Sequence, residues 1–247
     1  MLDPSFSERY SRQIKLPEVG AAGQLKLAES TAVLLGLGGL GSPVAMYLAA
    51  AGIGHLIISD FDRVESNNLQ RQIVHRETDL GMAKTESAKR TMTEINPKLH
   101  VDIYDYQFEE DELVQIASKS QVIIDCTDNF PSRYGINRAS QESGIPLVSG
   151  AASQWQGQLA TFVPQIVTSP CYQCLYPDIG IEAHACHADG ILSPIVGVVG
   201  SLQALEAIKL LLGVGSNLAG RVMLFDGLSM ECQTIDMNKR KDCPACG

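Results

Sequence analysis

The sequence predicts a doubly wound α/β domain, a mainly parallel sheet with helices on both faces, continued by an antiparallel extension. Three observations carry this. Apolar runs of strand length alternate with segments of helical period through about the first 150 residues. A glycine loop, Gly36-Leu37-Gly38-Gly39-Leu40-Gly41, stands between the first such run and the first such helix. Past that point strand-like runs continue without crossover helices between them.

In chain order, 31–36 is a short apolar strand leading into the glycine loop. Ser42-Pro43 opens a helix through residue 51, with Ser suited to the N-cap and Pro to the first turn. Residues 57–60 close a second strand. Residues 82–95 have helical spacing and stop before Asn96-Pro97, because a residue preceding proline disfavours the helical region. The segment 99–104 alternates as a strand, 109–118 is helical, 121–125 is an apolar strand, 132–143 is helical and 146–149 is strand-like. Then 155–163 and 221–225 read as strands, and 170–189 as a loop bearing cysteines and histidines. No low-complexity linker or internal repeat divides the 247 residues, so one domain is expected over 1–247: an N-terminal arm over 1–30, a nucleotide-binding half over 31–150 and an elaborated half over 151–247.

The formal net charge of −9 argues against nucleic acid as a partner, since the overall field repels phosphate backbones. Residues 1–10 are polar and charged, unlike a secretory signal. The long apolar run 191–214 is interrupted by Gln203, Glu206 and Lys209, three apart on one helix face. That pattern reads as a buried or subunit-interface helix rather than a membrane span. Seven cysteines without a secretory signal point to a reducing cytoplasm and not to a disulfide framework.

The glycine loop has the context its mechanism needs. Gly36 permits the tight turn, Gly38 lets the backbone approach phosphate, and Gly41 allows close helix–sheet packing with the helix N-terminus facing the anion. Asp60 follows Gly41 by 19 residues, which suits a carboxylate bonding a ribose hydroxyl, so the loop is read as Rossmann-like. The charged groups beyond it separate nucleotidyl transfer from hydride transfer. Asp60-Phe61-Asp62, Asn67-Asn68-Leu69-Gln70-Arg71-Gln72 and Gly81-Met82-Ala83-Lys84 supply more phosphate handlers than a redox enzyme needs. Arg71 offers a two-pronged fork and Lys84 a point charge; the competing reading of each is a solvated surface charge. Asp128, just past the strand 121–125, suits either magnesium or the N-cap of the next helix.

Cys171-Tyr172-Gln173-Cys174 and Cys243-Pro244-Ala245-Cys246 are two chelating pairs that together complete a tetrahedral Cys₄ site, closed to further ligands and therefore structural zinc, one per chain. His184 and His187 are rival ligands. Cys186 lies between those imidazoles and is either a nucleophile or an inert loop thiol. Cys126 and Cys232 read as packing residues. Two other functions fit parts of the pattern: an NAD-dependent oxidoreductase with structural zinc, and a non-catalytic zinc scaffold.

With these motifs the chain resembles the bacterial sulfur-carrier adenylyltransferases, relatives of the ubiquitin-activating enzymes that comprise a molybdopterin-synthase branch and a thiamine-pathway branch. The matching residues are Arg9-Tyr10-Ser11-Arg12-Gln13, the glycine loop, Asp60-Phe61-Asp62, Asn68-Leu69-Gln70-Arg71-Gln72 and Lys84. To these add Asp125-Cys126-Thr127-Asp128-Asn129, Val148-Ser149-Gly150-Ala151, both CxxC pairs and the segment 200–209. The resemblance runs from about residue 9 to the last residue. It implies adenylation of the C-terminal Gly-Gly carboxylate of a small ubiquitin-fold sulfur carrier, with ATP and Mg2+ as cosubstrate and cofactor, pyrophosphate as leaving group, and a cytoplasmic homodimer. It assigns the nucleotide to Gly36, Gly38, Gly39, Gly41, Asp60 and Asp62, to Asn67, Asn68, Leu69 and Gln70, and to Arg71, Lys84, Asp128 and Asn129. Arg12, on the N-terminal arm, is implied to reach the neighbouring subunit's ATP. Residues 151–247 are implied to hold the carrier and the zinc. The chain ends just past the second CxxC, so sulfur is expected from a separate donor protein. Cys186 is implied to act covalently in the thiamine branch alone; the segment 179–185 and Asp226-Gly227 tilt toward that branch.

Overall fold

The computed structural model of the protein describes residues 3–177 and 190–247. The expectations for Cys186, His184, His187 and the segment 179–185 lie outside the described residues.

Short runs of aliphatic residues form the centre of the molecule because both of their faces are covered. β1 (Thr31–Leu35), β2 (His55–Ser59) and β4 (Val122–Asp125) are buried along almost their whole length. With β3 (His100–Tyr104) and β5 (Leu147–Ser153) they pair in parallel in the order β3-β2-β1-β4-β5. β6 (Gln156–Phe162), β7 (Arg221–Asp226) and β8 (Glu231–Asp236) continue the same eight-stranded sheet with antiparallel pairings. The expected parallel core and antiparallel extension are therefore present. β8 was not anticipated: its residues are all exposed, so it lacks the apolar alternation that marks a half-buried strand. Cys232 sits on it and is exposed, which corrects its reading as a packing residue. Cys126 is buried as expected, and burial pushes its thiol well above the usual cysteine range.

The sheet's two faces carry two separate cores. One holds Leu34, Leu56, Ile58 and Ile124 under α4 (Gly41–Ala51), α5 (Lys84–Ile95) and α9 (Ser193–Leu212). The other holds Val33, Leu35, Ile57 and Ile123 under α6 (Glu110–Ala117) and α7 (Phe130–Ser143). α4 begins at Gly41, so Ser42 lies inside its first turn rather than at the N-cap; its hydroxyl donates to the Gly38 carbonyl at 2.7 Å. The helix ends at Gly52, whose φ of +89° is the left-handed cap that glycine accepts without strain.

α9 is long and apolar enough to cross a membrane by composition, yet its polar residues have internal partners. Gln203 donates to the Asp125 carbonyl at 2.7 Å, and Glu206 accepts from the Thr161 hydroxyl and the Leu218 amide, each at 2.8 Å. A polar group so satisfied inside a protein has no comparable partner in lipid. Val198 and Leu205 on the same helix remain exposed.

The N-terminal arm consists of α1 (Pro4–Arg9), α2 (Ser11–Ile14) and α3 (Gly20–Ala28). It is tied down by Tyr10, whose buried ring packs against Gly52: a Cβ there would stand 2.6 Å from the ring. Gln13 and Gln24 both donate to the Ala51 carbonyl at 2.9 Å.

Candidate nucleotide and zinc sites

Parallel pairing turns the carboxyl ends of β1, β2 and β4 to one edge of the sheet. Between β1 and β4 the strand order reverses, leaving the crevice that such folds use for ligands. A cavity of about 1350 Å³ opens there.

The glycine loop forms one wall, and each glycine has its own reason to lack a side chain. Gly36 has φ +88°, and a Cβ would stand 2.7 Å from the Cys126 carbonyl oxygen. At Gly41 a Cβ would lie 2.0 Å from the Gly36 carbonyl oxygen, so this glycine closes the turn and does not line the cavity. Gly39 leaves room for Val196 of α9. Gly38 meets only the Gln72 amide, at 3.6 Å, and faces the cavity as a phosphate-approach position requires.

Asp60 follows directly on β2 and holds the loop as well as facing the cavity. Its carboxylate accepts from the Leu37 amide at 2.7 Å and from the Asp62 amide at 2.9 Å. Burial raises its pKa above the ordinary carboxylate value, with Lys84 and those two amides opposing the shift. Lys84, the first residue of α5, is buried and pairs with the half-exposed Asp62 carboxylate at 2.8 Å. Asp62 itself lines the cavity and holds Lys84 at its wall.

Arg71 lines the cavity with its guanidinium donating to the Asn67 carbonyl at 3.1 Å. Asn68 is buried in a short 3-10 turn, Ser66–Asn68, where its side chain accepts from the Glu65 amide at 3.2 Å and donates to Asn67 Oδ1 at 2.6 Å. Asn67 and Gln70 also line the cavity, whereas Leu69 does not. Asn129, not Asp128, caps α7: its Oδ1 accepts from the Ser132 amide at 2.9 Å. That removes the competing reading of Asp128, whose exposed carboxylate lines the cavity.

Arg12 is exposed on α2 and does not line the cavity of its own chain.

Arg133 and His75 escaped the sequence reading, and Gln72 stood in it as part of a quoted motif without a role of its own. Arg133 of α7 is buried at the cavity wall and donates to the carbonyls of Thr127 at 2.7 Å and Gly150 at 3.2 Å, tying the loop after β4 to β5. His75 is buried beneath the glycine loop, with Nε2 3.1 Å from the Leu37 carbonyl oxygen and Nδ1 2.8 Å from Ser87 Oγ. A carbonyl only accepts, so Nε2 carries the proton, and burial lowers the ring's pKa to about 4. Gln72 lines the cavity with a buried Oε1 that has no hydrogen-bond partner among the described residues, an acceptor suited to a ribose hydroxyl or a base amine. His75 follows the apolar pair Ile73-Val74 and precedes the charged Arg76 and Glu77, so no local signal marks it as buried.

The four CxxC cysteines come together away from this crevice. Cys171 caps α8 (Tyr172–Leu175), and its Sγ lies 3.6 Å from Cys243 Sγ; Cys174 and Cys246 Sγ are 3.5 Å apart. All four sulfurs lie within 4.8 Å of one another. A tetrahedral zinc with its usual sulfur bond length separates its ligands by roughly 3.8 Å, so the donor set fits that ion.

A family model described as the ThiF family matches residues 10–245. The SAMP-activating enzyme E1 of Haloferax volcanii is 41% identical over 248 residues, covering all of this chain and 91% of that protein. The adenylyltransferase and sulfurtransferase MOCS3 of Dictyostelium discoideum is 41% identical over all of this chain, which spans 58% of it. The maize protein MOCS3-1 of the same description is 44% identical over 97% of this chain, which spans 51% of it. Among solved structures, Escherichia coli MccB with ATP superposes with a TM-score of 0.83 at 23% identity, over 100% of this chain and 76% of that one, a likeness of fold.

Proposed function

This chain belongs to the ThiF family, and we propose that it is an ATP-dependent adenylyltransferase for the C-terminal Gly-Gly carboxylate of a small ubiquitin-fold sulfur carrier. The observation that carries this reading is the meeting of Gly38, Arg71, Lys84 and Asp128 around one cavity at the strand-order switch. The relatives named as activating enzyme and adenylyltransferase support it. Hydride transfer, and a scaffold without chemistry, leave the two cations Arg71 and Lys84 beside Asp128 without purpose.

In the proposed reaction a carboxylate oxygen of the carrier attacks the α-phosphorus of ATP. The bond from that phosphorus to the bridging oxygen breaks, and pyrophosphate leaves with its electron pair. The products are an acyl-adenylate and pyrophosphate. The attacking carboxylate is already ionised, so no general base is required. What the protein supplies is position and compensating charge. The glycine-loop amides and the N-terminus of α4 face the phosphates, Asp60 bonds the ribose, and Arg71, Lys84 and Asn68 balance the negative charge that moves onto pyrophosphate. Lys84 exchanges its pairing with Asp62 for a phosphate oxygen. Asp128 would hold Mg2+, which supplies further charge to the triphosphate. Cys171, Cys174, Cys243 and Cys246 would hold one structural Zn2+ and fasten the C-terminal segment to α8.

The same reading makes the protein a cytoplasmic homodimer in which Arg12 serves the neighbouring cavity, supported by the exposure of Arg12 and of Val198 and Leu205 on α9. Sulfur then reaches the activated carboxyl from a separate donor protein. The deciding experiment is ATP–pyrophosphate exchange with each candidate Gly-Gly carrier, from the molybdopterin and the thiamine pathways. Carrier-dependent exchange is the expected result; nicotinamide binding, with no exchange for any carrier, would overturn the reading. A Cys186→Ser variant is expected to retain the exchange, and loss of a reducible enzyme–carrier adduct would assign that thiol a later covalent step.

A further inference from the structure

At the other end of the strands from the nucleotide cavity, the parallel register builds a second cluster. Thr31, His55 and His100 are the first residues of β1, β2 and β3, and they are paired across the sheet, Thr31 with His55 and His55 with His100. In-register residues of parallel strands share a face, and so do residues two apart on one strand, which adds Asp102 to the row. The side chains converge. His55 Nε2 lies 2.9 Å from Asp102 Oδ2, and His100 Nε2 lies 3.1 Å from Asp102 Oδ1. One nitrogen from each ring and one carboxylate oxygen fall within 4.8 Å of one another. His55 is half-buried and His100 exposed, so the cluster is open to solvent.

We propose that His55, His100 and Asp102 form a binding site for one divalent late first-row transition ion, separate from the Cys₄ centre. Two imidazoles and one carboxylate suit zinc, nickel or copper, whereas magnesium and calcium take oxygen ligands. An ion bound at the usual nitrogen and oxygen distances holds neighbouring donors roughly 2.9–3.4 Å apart, the spacing of both His–Asp pairs. The cluster also has an outer partner that prepares it. His55 Nδ1 lies 3.4 Å from Thr31 Oγ1. A hydroxyl accepting the Nδ1 proton leaves the Nε2 lone pair directed at the ion, as metal-bound histidines require. Three protein donors leave at least one coordination position for water. The ends of parallel strands opposite the ligand crevice have no part in the proposed adenylation, so the site stands or falls independently of that reading.

The probe is NiCl2, titrated calorimetrically into the zinc-loaded full chain, with imidazole proton resonances followed in parallel. Wild-type protein is expected to take up one Ni2+ at this site and to broaden the His55 and His100 resonances before those of the other histidines. His100→Ala and Asp102→Asn are each expected to weaken binding at least roughly tenfold, and Thr31→Val about tenfold through the lost outer partner. His100 is exposed, so its replacement leaves the core intact; an unchanged melting midpoint checks this. Uptake by His100→Ala as tight as that of wild type would overturn the proposal. So would wild-type protein whose His55 and His100 resonances are unaffected by the ion, leaving the three residues an ion-pair network only.

Discussion

The Lys84 ammonium, almost wholly buried, lies 2.8 Å from a carboxylate oxygen of Asp62 that is half open to water. The asymmetry matters. A buried charge needs a partner, but a partner anchored on an exposed loop can be exchanged for a phosphate oxygen at small cost. In the proposed reaction a nucleotide would thus meet a cation already desolvated at the cavity wall.

From this follows the first prediction. Lys84→Ala and Arg71→Ala fold normally, because Asp62 is left solvated and the one hydrogen bond of the Arg71 guanidinium among the described residues is to the Asn67 carbonyl. Each lowers the ATP–pyrophosphate exchange rate on the order of 100-fold or more, the usual loss for one donor to transition-state charge. Exchange in folded Arg71→Ala at the wild-type rate would remove Arg71 from the phosphate site.

The metal is tested by its stoichiometry. Purified protein is expected to contain one zinc per chain, and Cys246→Ser or a strong chelator to remove it. Ligation by four thiolates contributes roughly 10 kcal/mol to folding, so the loss should appear as a large drop in melting temperature. Full stability with substoichiometric zinc refutes the assignment.

Acid sensitivity tests His75. Its folded pKa of about 4 lies below the ordinary 6.5, so between these values the unfolded chain binds the extra proton. The stability it contributes is present above pH 6.5 and is lost as the pH falls toward 4, amounting to about 3 kcal/mol for a shift of this size. Urea midpoints measured across that range should fall in wild type and vary less in His75→Asn. The same variant should weaken ATP binding, because the ring's bond to Leu37 is lost. Parallel pH profiles for the two proteins would exclude the role.

A shared active site has a complementation test. Arg12→Ala and Lys84→Ala are each expected to be inactive, while a mixture allowed to exchange subunits regains activity, since one cavity of the hybrid dimer then has both residues. No recovery after demonstrated exchange means that Arg12 does not cross to a partner.

Whatever short-range chemistry controls is legible in the amino-acid order. Strand 31–36, the helix after it and the glycine loop between them are set by apolar runs, helical period and the need for positive φ at Gly36. The two CxxC pairs were equally legible, and so was Asp60 at the end of its strand. Element ends moved by a residue or two where caps compete, as at Ser42 and Asn129. Folding in three dimensions set the rest. It brought Cys174 to Cys246 across more than 70 residues of chain, buried His75 beneath Leu37, set Arg133 between the loop after β4 and β5 and completed the sheet with the fully exposed β8. It also lined up Thr31, His55 and His100 across three strands. Contacts of such long sequence separation depend on register and on side-chain packing, and neither leaves a periodic trace in the amino-acid order.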